Sequence, residues 1–473
     1  MANNTLVIIS VPFHRNTRYL LSSELYPQFR ENYDLLLVTS FKVTSSFKNE
    51  FGGKNVQYCE ILPHHSNRIL SALYNVSELL RGNGYKFRHR NNRIKYHWYE
   101  TRFLDFSGGK IEKKSSLSQM LALITGIIGF NPRVWKFFDS LFGQYYYKNK
   151  AILDISSKYD KSIIIHTANF SFQERLLGYL GRLAKIKSIL IPYTTDQICI
   201  NGYLIREYDV VCAQGSVEEN YLKYHHKVHE DNIFMLGSLW FRNLDRSLSK
   251  HEFSFNETAP EEFRTILYAG ISSTYFPRYA ELVAVDRILH EIEVGTLGKC
   301  KLIYRPVCKN NEINEIENRY AGAKSIVIQK PSISMIGMTE DIGESGCTVD
   351  AEIYEYSAVM NSISLVIVSQ MTTILFDAVY LDKLAISYIY NDSPEDKIRN
   401  DYYIDSDCFD IYSAGIPIVV DSLDELAAKV MELLTAPRIF TPVKHNMMSG
   451  WHRDDEDTMK GFMLLLDELI HAK

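Results

Sequence analysis

The sequence lacks four things, and each absence removes a class of protein. It has no long hydrophobic run: the longest, "MLALITGIIGF" from Met120 to Phe130, falls far short of the ~20 residues that span a bilayer. It has no excess of positive charge. Its 52 Lys and Arg against 57 Asp and Glu leave a net charge of −5, which argues against a nucleic-acid binder. It has no cysteine framework. Cys59, Cys199, Cys212, Cys300, Cys308, Cys347 and Cys408 are odd in number and show no CxxC spacing, which fits a reducing compartment and argues against a zinc site. Its opening residues, "MANNTLVIISVPF", carry no basic segment, and their apolar run is too short for a signal peptide. A cytoplasmic protein is expected. Internal repeats and low-complexity tracts are also missing.

What is present is an alternation. Apolar, β-branched runs bounded by polar turns predict strands at Thr5–Ser10, Asp34–Ser40, Val56–Leu62, Ser162–Thr167, Ser188–Tyr193, Asp209–Gln214 and Asn232–Gly237. Helical patterns such as Glu174–Ile186 and Val217–His225 lie between them. A polar stretch from Asn243 to Phe263 reads as a linker. The alternation then restarts, with strands predicted at Thr265–Gly270, Cys300–Pro306, Ser325–Lys330, Ser364–Ser369, Leu384–Ile389 and Ile416–Val420. An amphipathic helix closes the chain over Asp457–Ile470. Continuous apolar strands separated by helices imply parallel sheets covered on both faces. At 473 residues two such units fit better than one. The expected fold class is therefore α/β, with two Rossmann-like doubly wound domains, 1–242 and 263–450, facing a cleft, followed by a tail helix in 451–473. One region breaks the pattern. Residues 81–150 are aromatic and basic; within 81–102, Arg81, Lys86, Arg88, Arg90, Arg93, Lys95 and Arg102 face Glu100 alone. Such a tract either rests on an anionic membrane surface and receives a lipid-linked glycan, or packs as helices with a charged outer face.

In doubly wound sheets ligands sit beyond the carboxyl ends of the strands. The segment "SLVIVSQMTTILFDAVYLDK" places Ser369, Gln370, Thr372 and Thr373 where a strand meets a helix that carries Asp377. Backbone N–H groups and hydroxyls there make an anion site, or only a helix cap. "TILYAGISSTY" repeats the arrangement: Gly270 allows close backbone approach, and Ser272 and Ser273 offer donors, or form a Ser-rich turn. Arg305, in "LIYRP", pairs with a phosphate from the same sheet edge or lies on the surface. In the first half, "VPFHRNTRYL" sets His14 after the first strand, where it takes a proton from an acceptor hydroxyl or serves packing. His166, Thr167, Asn169 and Gln173 follow another strand. Asp196, in "IPYTTDQICINGY", is a base held in the cleft or a cap. "DSD" at 405–407 mimics a metal-binding Asp-x-Asp but reads as a solvated turn.

Two stretches resemble bacterial GT-B glycosyltransferases of surface-polysaccharide assembly. "TTDQICINGYLIREYDVVCAQGSVEENYLKYHHKVHEDNIFMLGSLWF" is similar to their run of Trp-Asp-Asn, Lys-Gly, strand, Glu-bearing helix and Gly-Ser. Asp196 and Gln197 match the Asp-Asn, Asn201 and Gly202 the Lys-Gly, Glu218 or Glu219 the Glu, and Gly237 and Ser238 the Gly-Ser. "SLVIVSQMTTILFDAVYLDKLAISYI" resembles their second-domain run of strand, Ser-x-x-Ser/Thr-Thr, acid-Ala and Gly-Lys-Pro. The chain departs from the pattern in Thr195 for the Trp, Asp377 for the usual Glu, and Asp382-Lys383-Leu384 for Gly-Lys-Pro.

The resemblance implies transfer of a sugar from a nucleotide-activated donor to a growing surface glycan of lipopolysaccharide, O-antigen or capsule type, at the inner face of the cell membrane. It implies no metal and no cofactor beyond the donor, of UDP, GDP or CMP type. The second domain is expected to hold the donor through Gly270, Ser272, Ser273, Arg305, Ser369, Thr372, Thr373 and Asp377. The first supplies His14 or Asp196 as base, and the tail helix crosses back to it. A sugar-nucleotide epimerase of the same architecture is the alternative, as is a non-catalytic nucleotide- or glycan-binding partner.

Overall fold

Strands that are apolar along their whole length need cover on both faces, and the chain provides it twice. The computed structural model describes residues 4–13, 16–61, 68–89, 104–105, 112–146, 151–194, 196–199, 202–250, 264–271, 278–307, 310–329, 349–369, 372–391, 397, 418–435, 452 and 457–471. The first sheet contains β1 (Thr5–Val11), β2 (Asp34–Thr39), β3 (Val56–Glu60), β6 (Lys161–His166), β7 (Lys187–Leu190), β8 (Val210–Ala213) and β9 (Ile233–Met235). The second contains β10 (Arg264–Ala269), β11 (Cys300–Arg305), β12 (Ile326–Ile328), β13 (Leu365–Ser369), β14 (Leu384–Tyr388) and β15 (Val419–Val420). Between the halves of the first sheet, β4 (Leu104–Asp105) and β5 (Glu112–Lys113) form a short antiparallel ribbon.

All pairings within the two large sheets are parallel. Their spatial orders are 3-2-1-6-7-8-9 and 12-11-10-13-14-15. Each sheet thus starts at its centre, runs to one edge, and returns to build the other half, the doubly wound order with a switch point between the central pair. Ile8 of β1 is aligned with Leu36 on one side and Ile164 on the other. Side chains alternate across the sheet: Val7, Ile9 and Val11 enter one core, Leu6 and Ile8 the opposite one. The expected α/β class with two Rossmann-like units is what the chain adopts.

The helices of the first unit are α1 (Leu25–Asn32), α2 (Ser45–Phe51), α3 (Arg68–Arg88), α4 (Ser116–Gly129), α5 (Pro132–Tyr146), α6 (Ala151–Ser156), α7 (Phe172–Ala184), α8 (Asp196–Cys199), α9 (Ser216–Tyr224) and α10 (Leu239–Lys250). Those of the second are α11 (Arg278–Glu293), α12 (Asn310–Tyr320), α13 (Val349–Ser362), α14 (Ile374–Tyr380) and α15 (Leu423–Thr435), with α16 (Thr458–His471) last. The expected helix ending at Ile186 stops at Ala184, because Lys185 turns left-handed (φ +54°) and the Ile186 N–H caps the Gly181 carbonyl. Helix α14 ends at Tyr380, so Lys383 lies beyond it.

Two expectations from composition are corrected. The stretch from Asn243 was read as linker, yet its first residues belong to α10. Leu239, Phe241, Asn243 and Leu244 of that helix are buried, and the Asn243 amide donates to the Arg18 and Tyr19 carbonyls. The remainder of that stretch, and the 405–407 "DSD", lie outside the described residues. Arg81 was counted among outward charges, but it is buried and donates from Nε to Glu78 at 2.8 Å. Buried Arg175 pairs with the same carboxylate and with Asp139 at 3.2 Å. Burial alone would raise Glu78, but the two guanidinium charges outweigh it and hold the carboxyl at about 2. These ions pin α3, α5 and α7 together. α4 joins them by close contact: a Cβ on Gly84 would fall 2.1 Å from the Gly129 carbonyl oxygen.

The last helix, α16, lies on the first unit. Phe462 is fully buried between Phe29 and Phe234, with ring centroids 6.4 and 5.8 Å away, and Tyr33 donates to Asp467. Phe462→Ala should therefore lower the unfolding free energy by about 3–5 kcal/mol in urea titration. A loss below about 1 kcal/mol would mean that this helix does not hold the first unit together.

Candidate functional site

The carboxyl ends of the two sheets face each other, and between them lies a cavity enclosing about 890 Å³ of space, part of it open to solvent. The first unit contributes Arg18 and Tyr19 beyond β1, Tyr193 and Thr194 beyond β7, Gln214 beyond β8, and Ser238 and Trp240 beyond β9. The second contributes Arg305 at the end of β11, Glu352 and Tyr356 from α13, and Thr373 and Asp377 at α14.

Electrostatics separate the two arginines. Arg18 donates to Glu352 across the cleft, an ion pair that joins the two units. Arg305 is buried, at 7% exposure, yet forms no ion pair among the described residues. Its guanidinium lies 5.0 Å from the centre of the Tyr356 ring, with the Gln329 amide oxygen 3.5 Å away. Burial lowers its pKa, although the Tyr356, Glu352 and Glu355 groups act the other way. A cation kept from water without a carboxylate is costly unless an anion completes it.

Asp377 binds the two units directly. Its Oδ1 accepts from the Trp240 indole at 2.9 Å, and its Oδ2 from the Tyr356 hydroxyl at 2.5 Å. Burial lifts the carboxyl from 3.8 to about 6, against those two hydrogen bonds and the Arg305 charge. Glu50 adds a further tie, accepting the Val349 N–H at 2.7 Å where α13 begins. Rings line the space between: Trp240 stands 5.5 Å from Tyr19 and 5.8 Å from Tyr356.

Of the residues expected from sequence, Arg305, Thr373 and Asp377 come together at this cavity. Asp377 accepts a hydrogen bond from a protein donor at each carboxylate oxygen. Thr373 makes no side-chain capping bond, and Thr372 Oγ1 is buried with no hydrogen-bond partner among the described residues. Ser369 is fully buried and bonded to the Tyr268 hydroxyl at 2.9 Å, which turns it into the sheet. The close approach that Gly270 permits is occupied by Glu281: a Cβ there would fall 2.2 Å from that carboxylate. Glu281 in turn is fixed by Tyr304 at 2.5 Å and by the Ile271 N–H at 2.9 Å. His14, Ser272 and Ser273 lie outside the described residues, as does the side chain of Asp196; its backbone opens α8, close in sequence to cavity-lining Thr194. Gln197 and Glu218, matched to the glycosyltransferase pattern, are buried and brace loops by accepting the Asn169 and Gln214 N–H groups. Among the described residues no three metal-ligating side chains gather, and no helix is long and apolar enough to cross a membrane.

Arg18, Tyr19, Trp240, Glu352 and Tyr356 were not found from sequence. Glu352 and Tyr356 stand one turn apart on α13, and Trp240 follows Gly237-Ser238, so their spacing was visible while their convergence was not.

No family model matches the chain, and no curated protein sequence does. Solved structures do. The S. aureus MnaA–UDP co-structure superposes with a TM-score of 0.53 at 9% identity, over 98% of this chain and 96% of that one. A UDP-N-acetylglucosamine 2-epimerase gives 0.52 at 9%, over 99% and 96%. The fold is GT-B. A glycosyltransferase from Rickettsia africae ESF-5 aligns over 99% of both chains at 10% identity, with a TM-score of 0.48. Likeness at such identities speaks for the fold and not for the activity.

The raised Asp377 carboxyl has a consequence for stability. Between about pH 4 and pH 6 the native state keeps a proton that the unfolded chain has released, so stability falls as pH rises through that window and is level above it. Asp377→Asn removes this titration. Urea unfolding across the window should show the wild type losing about 3 kcal/mol relative to the variant. Parallel curves would mean that the carboxyl titrates at its ordinary value.

Proposed function

We propose that this chain is a glycosyltransferase that moves a sugar from a nucleotide-activated donor to a growing surface glycan, with the interdomain cavity as its active site. The observation that carries this reading is Arg305, a buried guanidinium that lines the aromatic cleft and forms no ion pair among the described residues. A donor diphosphate or monophosphate is the anion that completes it, held bidentately with help from the Thr373 hydroxyl. Negative charge builds on the departing nucleotide during transfer, and a fixed cation in a water-poor cleft stabilises that charge more than it stabilises the ground state. UDP, GDP and CMP donors fit this chemistry; the structure of the same fold from S. aureus was solved with UDP. The acceptor hydroxyl approaches from the first unit, where His14 or Asp196 takes its proton in an inverting reaction.

One observation favours a second reading. Glu352 and Asp377 both line the cavity, and burial raises both carboxyls above their ordinary range. Proton removal from and return to a bound sugar, as in epimerisation, uses such groups. Incubating the purified protein with each nucleotide sugar and no acceptor, followed by NMR, separates the two. A new epimer assigns the epimerase. Nucleotide release that appears only on adding glycan acceptor assigns the transferase.

The anion site has its own test. A ligand that binds only the folded state at a hundred times its dissociation constant adds about 2.7 kcal/mol of stability, visible as a rise in Tm. Arg305→Met should abolish the rise caused by the cognate nucleotide while leaving the Tm of the free protein unchanged or higher, since a buried unpaired charge has been removed. A variant that keeps the full nucleotide shift would take Arg305 out of the site.

A further inference from the structure

Helix α4 is built inside out. At 100° per residue, Leu117, Met120, Leu121, Ile124, Ile127 and Ile128 fall within one arc of about 120°. That arc is its exposed side: the six are 41–61% accessible. Its inward side consists of Ala122, Gly126 and Gly129, small enough for α4 to lie directly on the backbone of α3. A Cβ on Gly129 would fall 2.0 Å from the Leu80 carbonyl oxygen. Soluble amphipathic helices place their aliphatic stripe against the core; here the core side was given to glycine and the stripe to solvent. Phe130 and Phe137, 46% and 59% accessible, extend the apolar surface into the next turn and α5.

We propose that this face of α4 docks on an anionic lipid bilayer, lying in the plane of the interface. The charges nearby decide for lipid. No Asp or Glu occurs from Lys113 through Phe138. Cations flank the stripe at both ends, with Lys114 before it and exposed Arg133 and Lys136 after it. Lys136 meets Glu207 at 3.0 Å, but in an ion pair exposed to solvent. Arg88 sits over the Phe130 ring at 5.7 Å. An apolar stripe rimmed by Lys and Arg matches acyl chains beneath anionic headgroups. A second copy of the chain fits worse, because either alignment of two stripes sets cation against cation. Fourteen residues make a helix about 21 Å long, enough to lie on the surface. The inference stands apart from the reaction proposed for the cleft, and from the basic tract 90–103, which lies outside the described residues.

The test is co-sedimentation of the full chain with vesicles of phosphatidylglycerol and phosphatidylcholine, and of phosphatidylcholine alone, alongside sedimentation velocity without lipid. The wild type should pellet with the anionic vesicles and be released by salt. The triple variant Leu121→Gln, Ile124→Gln, Ile128→Gln changes only exposed positions and should bind about tenfold less or weaker. The pair Arg133→Glu and Lys136→Glu leaves the stripe intact and reads the charge contribution if the triple variant folds poorly. No pelleting with either vesicle, or pelleting undiminished in both variants, overturns the proposal. A lipid-free dimer that the triple variant dissolves would assign the face to a second copy instead.

Discussion

The hydrogen bond from Trp240 to Asp377 is the contact on which the cleft depends. It reaches from the first unit to the second, and its acceptor holds Tyr356 as well. Tyr356 in turn presents its ring to Arg305. A chain of three contacts thus ties the spacing of the units to the position of Arg305, a buried cation that lacks an ion pair among the described residues. The arrangement is costly, because an ionised carboxylate is kept from water and is lifted to about 6. Opening the cleft would break the indole bond and let water reach the carboxylate. Cleft opening and proton loss at Asp377 are therefore linked, each favouring the other.

A second constraint holds the helical insertion. Buried Arg81, Arg175 and Asp139 and partly exposed Glu78 form an ionic cluster among α3, α5 and α7. Removing one member would leave the others uncompensated in a poorly solvated place, which is why such clusters fix geometry more than they add stability. Glycine does the rest. Gly84 and Gly129 let two helix backbones meet where a methyl group has no room. The charges are thus used inside and the aliphatic side chains are left outside, the reverse of an ordinary surface helix.

The sheets were legible because their central strands are buried on both faces and read as unbroken apolar runs, as in β1 and β13. Rules of strand order then pointed to the strand ends, and Arg305 and Asp377 were found there. Helix α10 was missed for a physical reason: two of its buried positions are Asn243 and Ser247, so composition looked like linker although the Asn243 amide donates to backbone carbonyls. Arg81 was misjudged because its partners, Glu78 three residues before it and the Tyr203 carbonyl far along the chain, are identified only by packing. The "SQMTT" hydroxyls part ways in the fold. Thr373 reaches the cavity, while Ser369 is bound to Tyr268 in the sheet. Trp240, Glu352 and Tyr356 come from elements that meet only when two units close, and no period or spacing encodes that meeting.

The insertion and the cleft are joined by one segment. The loop after β7 places Tyr193 and Thr194 in the cavity wall, and continues through α8 to Gly202 and Tyr203. There Gly202, at φ +92°, packs 3.3 Å from the Gly82 Cα when given a Cβ, and Arg81 donates to the Tyr203 carbonyl. His226 fixes the same loop from the other side through the Ile198 carbonyl at 2.6 Å. The α4 face proposed to dock on lipid is thus connected, by α3 and this loop, to the first-unit wall of the cavity. Contacts of that kind are stiff, since each link is a close backbone approach or a buried or part-buried hydrogen bond. The distance from a lipid surface to the cleft would then be fixed by the fold, which suits an acceptor carried on lipid better than one that diffuses freely.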